Sequence, residues 1–82
     1  MPVELSTSTL LIAIIQKLVD NPDRVRVKEV RGEHSTVLEV SLDKADIRRV
    51  IGKGGRIAGA LRELLISIGG KEGRRYFLEL PE

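Results

Sequence analysis

Val50-Ile51-Gly52-Lys53-Gly54-Gly55-Arg56-Ile57 places three glycines within four residues, between two segments with helical periodicity. A turn this tight between helices needs glycine, which alone reaches positive φ without steric cost. Without a Cβ, it also lets another backbone come close. The helix that follows starts at about Gly55, so its unpaired N–H groups and positive dipole end face out of the turn. That arrangement suits a phosphate.

The charge around this turn points the same way. The chain has 82 residues and a net charge of +2, but residues 44–62 alone carry a local +5. Lys44, Arg48, Arg49, Lys53, Arg56 and Arg62 are opposed there only by Asp46. Such a cluster suits a polyanionic partner. At 41% hydrophobic and 32% charged residues the chain reads as one soluble globular domain, spanning 1–82 with its core over about 10–80.

Other chemistries lack their residues. There is no cysteine, and His34 is the only histidine, so neither a thiolate metal site nor a clustered-histidine site can be built. No Ser/His/Asp set suggests catalysis, and no enzyme, metal, cofactor or small-molecule substrate is expected. The turn is not a Walker A loop, because residue 47 is Ile47 and Lys53 is followed by Gly54. It is not a dinucleotide fingerprint either, since the third glycine would fall at Ile57. The apolar run Leu10–Ile15 is too short to span a bilayer, and no cleavage site follows it. A cytoplasmic protein without a membrane segment is expected.

Upstream of the turn, Ser6, Thr7 and Ser8 offer N-cap hydroxyls to a helix with Leu11, Ile14, Ile15 and Leu18 on one face. Pro22 ends it at about Asp20. Leu10, Ile12 and Val19 widen its apolar arc to about 200°, more than the roughly 100° stripe that a surface helix needs. The surplus either packs under the sheet or marks the edge of this helix as a candidate partner surface. Residues 24–31 alternate charge with valine and read as a strand. Val30 breaks the parity, which a bulge at Lys28-Glu29 repairs. Gly32-Glu33 turns into a second strand, Ser35–Leu42, with Thr36, Leu38, Val40 and Leu42 on one face. Asp43 caps the next helix, with Asp46 in a capping-box position. The helix after the turn runs to Ile68 and is ended by Gly69-Gly70. Arg74–Leu80 forms the last strand, with Tyr76, Leu78 and Leu80 on one face.

The order is α-β-β-α-α-β, an α+β fold. The first two strands are antiparallel, and the helix pair makes a right-handed crossover to a parallel third strand.

Gly52-Lys53-Gly54-Gly55 fits the GXXG loop of the KH family, and the element order is that of a type II KH domain. Val19-Asp20-Asn21-Pro22-Asp23, Glu29-Val30-Arg31-Gly32-Glu33, Val37-Leu38-Glu39-Val40, Ala58, Ala60-Leu61-Arg62 and Gly73-Arg74-Arg75 occur in register with it. Together they resemble the small single-KH RNA-binding proteins of bacteria, the KhpA-like family. The resemblance implies a three-stranded mixed sheet covered on one face by three helices, and a groove holding about four nucleotides of single-stranded RNA.

Carried over, Gly52, Lys53, Gly54 and Gly55 face the sugar-phosphate backbone. Arg56, Arg48 and Arg49 add charge, and Ile51 and Ala58 form the apolar floor. Ala58 stands where many KH domains carry isoleucine, which alters the depth of the groove. The only aromatics are Tyr76 and Phe77, which argues against recognition by base stacking. The resemblance also implies a role as an RNA chaperone or post-transcriptional regulator, and a homodimer or a heteromer with a second KH protein. Two other readings stay open at this point. One is a helix-turn-helix-like DNA-binding module. The other is a protein-assembly module that uses the first helix, with RNA binding secondary.

Overall fold

A computed structural model describes residues 5–82. Its elements are α1 (Thr7–Leu18), β1 (Arg26–Arg31), β2 (Ser35–Ser41), α2 (Ile47–Ile51), α3 (Arg56–Glu72) and β3 (Arg75–Glu79). Ser6 caps α1, its Oγ accepting the Thr9 N–H at 3.1 Å. A 3-10 turn over Pro22–Arg24 leads into β1. The sheet order is β1-β2-β3, with β1 and β2 antiparallel and β2 and β3 parallel. A parallel neighbour requires a crossover connection, and α2 and α3 supply it.

All three helices pack on one face of the sheet. Leu11 and Ile15 of α1, Val50 of α2, and Leu61 and Leu65 of α3 are buried against Leu38 and Val40 of β2 and Leu78 of β3. Val25, just before β1, joins the same cluster. Tyr76 packs against it, with its hydroxyl donating to Glu72.

Four sequence expectations change. There is no bulge in β1: the pairing runs unbroken from Arg26↔Ser41 to Arg31↔Thr36. Val30 therefore points to the opposite face from Val27, where it lies 44% exposed. It pairs with Val37, whose other neighbour is Phe77, so the open face carries a short apolar row.

Gly69-Gly70 does not end α3, which continues to Glu72. The terminator is Gly73 at φ 70°, with its N–H and that of Arg74 both directed at the Gly69 carbonyl. Gly69 is glycine for another reason. It is buried, and a Cβ there would collide with the Arg74 carbonyl where the chain doubles back.

Asp46 forms no capping box. Asp43 caps the turn by accepting the Ala45 N–H at 2.9 Å, while Asp46 reaches across to the end of α1. Finally, the broad apolar arc of α1 is largely covered. Ile12, Ile14 and Val19 are half-buried against the core, and Leu10 and Ile14 line a narrow cleft whose other side is Leu61, Leu64 and Ile68 of α3. Among the described residues α1 exposes no large apolar side chain, so the surplus packs within the chain.

Candidate nucleic-acid interface

The glycine loop forms because each of its glycines is held at positive φ. Gly52 sits at φ 79°, ψ 167°, a region essentially closed to other residues. A Cβ there would also lie 2.7 Å from Ile57 Cγ1 and 2.9 Å from the Ile57 nitrogen. Gly52 thus lets the loop fold tightly beneath the first turn of α3. Gly54 (φ 64°) and Gly55 (φ 76°) are left-handed, but a Cβ on either would meet nothing within 4 Å. They leave bare backbone facing outward. The Gly52 N–H closes α2 onto the Arg48 carbonyl at 2.9 Å, and the Gly55 N–H returns to the Gly52 carbonyl at 3.0 Å. α3 then starts at Arg56, whose N–H is taken by the Lys53 carbonyl, and the positive end of its dipole lies at the loop.

Beside the loop lies a groove of about 340 Å³. Ile51, Gly55, Ala58, Gly59 and Arg62 line one wall, and Leu80, Pro81 and Glu82 the other. The second wall continues the free edge of β3. Arg75 donates its N–H to the His34 carbonyl, on the β2 side, at 2.9 Å. Alternation then turns the N–H and C=O groups of Tyr76 and Leu78 to the free edge. The Leu78 carbonyl meets Arg62 Nη2 there, at 3.4 Å.

Of the residues expected at the site, Ile51, Gly55 and Ala58 line the groove, Ala58 as a floor residue only 4% exposed. Gly52 is structural support for the loop. Lys53, Arg48 and Arg56 are exposed around it. Among the described residues the arginine ion pairs are Arg31–Glu29 and Arg49–Asp20, and His34 Nε2 lies 3.8 Å from Glu33, so Arg48, Lys53, Arg56 and Arg62 have no carboxylate partner. Arg49 is the outlier. Its guanidinium lies 3.2 Å from Asp20, at the end of α1. Both side chains are more than half exposed, so the tie is weak.

Asp46 fixes this corner. It is 1% exposed and accepts the Asp20 N–H at 3.1 Å and the Asn21 N–H and Nδ2 at 3.0 Å each. Burial alone pushes its carboxyl up. The Asn21 side-chain amide, the two backbone donors and the nearby Arg49 charge outweigh that and hold it below its ordinary 3.8. Asp46 immediately precedes α2, so this anchor sets where α2 delivers the loop.

Sequence reasoning missed Gly59, Arg62 and the β3 edge as groove walls. Gly59 and Arg62 follow Gly55 by four and seven residues, which is the helical repeat, so periodicity carried that signal. No group of three potential metal ligands occurs among the described residues, and no helix there is long and apolar enough to cross a membrane.

Three helices on one face of a β1-β2-β3 mixed sheet, joined through a Gly-X-X-Gly turn beside a groove, define a KH domain in the type II order. The chain belongs to the KhpA/KhpB KH-domain family, which it matches over residues 8–80. It is 52% identical over 67 residues to the RNA-binding protein KhpA of Aquifex aeolicus, covering 82% of this chain and 85% of that one. It is 46% identical over 72 residues to the RNA-binding protein KhpA of Chlamydia pneumoniae, covering 88% and 92%. Over 71 residues it is 45% identical to the RNA-binding protein KhpA of Clostridium acetobutylicum, covering 87% and 95%. These relatives are named as binding proteins, not enzymes. No solved structure matches the chain.

Proposed function

We propose that this single-domain chain binds single-stranded RNA through the GXXG loop and the adjoining groove. One observation carries the reading. The outward backbone of Gly54 and Gly55 and three exposed cations without carboxylate partners (Arg48, Lys53, Arg56) flank in sequence Ile51, Gly55 and Ala58, which line an apolar groove. Phosphates sit at the loop, where N–H groups and positive charge meet them. Bases lie over Ile51 and Ala58, where the edge groups of β3 can pair with them. The names of the relatives support RNA as the nucleic acid.

A groove of this size holds only a few nucleotides, so a lone domain binds weakly and gains by pairing with a second KH protein or a second copy. The cellular role that follows is that of a cytoplasmic RNA chaperone or post-transcriptional regulator. The test is a binding titration of single-stranded RNA against duplex DNA at one salt concentration. Preference for the single strand is expected. Preference for the duplex would return the helix-turn-helix reading, which the five residues of α2 already disfavour.

A further inference from the structure

The trough beside β3 continues past the loop groove. Gly55, Gly59, Arg62, Ile66, Gly70 and Gly73 recur every three or four residues along α3, which puts them on one side of the helix. The first three line the groove described above. The last three line a second one of about 560 Å³, whose other wall is Arg75, Tyr76 and Phe77 of β3. The Arg62 guanidinium, reaching across to the Leu78 carbonyl, divides the two.

This second compartment is open and largely apolar. Phe77 is 50% exposed and Ile66 64%. A Cβ on Gly70 or Gly73 would meet nothing within 4 Å, so the glycines leave the floor clear. The lining includes two arginines and no carboxylate. Arg74 is held by neutral acceptors, namely the Gly32 and Ser35 carbonyls at 3.2 and 3.1 Å and Thr36 Oγ1 at 2.8 Å. Its charge is therefore not cancelled. Arg75 forms no ion pair among the described residues.

An exposed aromatic ring beside uncancelled guanidinium groups is the chemistry that takes an unstacked base with its phosphate. The sequence offered too few aromatics for a stacking sheet, but one ring at the end of a groove needs no second. A protein segment would also cover apolar surface. Continuity with the loop groove and the absence of any carboxylate in the lining favour nucleic acid instead.

We propose that the second compartment holds further nucleotides of the strand clamped at the glycine loop, with Phe77 as the stacking surface and Arg75 as a phosphate partner. The proposal rests on the RNA-binding reading above. Its test is the affinity of the full chain for oligouridylates of four and eight nucleotides, at one salt concentration. Phe77→Ala is expected to weaken binding of the longer RNA roughly ten-fold, the size of one lost stacked base, and to leave the shorter unchanged. Gly70→Glu should do the same by filling the compartment with a carboxylate, in a helix position where glutamate is favoured over glycine. Variants that leave the longer RNA untouched, or that weaken both lengths equally, would overturn the second compartment. If the wild type binds neither RNA, the RNA-binding reading itself fails.

Discussion

The Asp46 carboxylate accepts both the backbone N–H and the side-chain amide of Asn21, each at 3.0 Å, with almost no access to solvent. One acid thus joins the end of α1 to the start of α2, and α2 carries the glycine loop. An acid whose folded pKa is depressed stabilises the fold above its unfolded value, and that contribution is lost as pH falls through the folded value. For Asp46 the stabilisation is complete above about pH 4 and fades below it. Asp46→Ala should therefore lower the melting temperature clearly at pH 7, and the gap from wild type should narrow at pH 3. A gap of the same size at both pH values would show that ionisation of Asp46 contributes nothing.

The glycines of the loop should not respond alike to alanine. Gly52 combines a glycine-only backbone conformation with a contact to Ile57 that leaves no room for a Cβ. Gly52→Ala should cost about 3 kcal/mol or more in chemical denaturation, from strain and overpacking together. Gly54 has the positive φ but open space around it. Gly54→Ala should cost about 1 kcal/mol, the left-handed penalty alone. Equal costs would mean that the packing of Gly52 under α3 does not matter.

Salt should separate the arginines. If binding is largely backbone contact, the log–log dependence of affinity on salt has a slope of roughly −0.7 per phosphate contact on a single strand. Arg48→Ala and Arg56→Ala should each flatten it by about that amount. Arg49→Ala should do less, because its guanidinium is turned to Asp20. Titrations at several salt concentrations decide this, and a salt-independent affinity would contradict the electrostatic account.

The first helix should behave as core. Ile12 and Val19 are half-buried against the hydrophobic cluster. Ile12→Lys with Val19→Lys should destabilise the fold by about 1–3 kcal/mol per site rather than separate an assembly. Thermal melting with sedimentation distinguishes the outcomes. A fully stable double variant with a reduced sedimentation coefficient would restore the α1 surface as an interface.

Much of this architecture was legible because local rules and tertiary demands agreed. Ser6 reads as a cap and is one, and the three loop glycines announce positive φ. The first helix ends at Leu18, with Val19 already extended, before the restriction that Pro22 places on Asn21 comes into play. What failed was where a long-range contact decided. Val30 breaks the strand alternation because it belongs to the open face beside Val37 and Phe77, which a single strand cannot reveal. Gly69 looks like a terminator, but it is a close approach set by Arg74 returning overhead. Asp46 sits at capping-box spacing, yet it is claimed by Asn21, distant in sequence. At the site, the loop was readable in one dimension. The β3 edge was not, because a strand becomes an edge only when its neighbours are counted.

The most direct measurement of the central claim is RNA affinity after changing Lys53 and Gly54 together to Asp. Both positions are exposed, and aspartate is among the residues that best tolerate the left-handed conformation at Gly54. The fold, followed by circular dichroism and melting, should survive. Two carboxylates would then face the phosphate position, and binding of single-stranded RNA should be abolished. A folded double variant that keeps wild-type affinity would contradict the placement of RNA at the glycine loop.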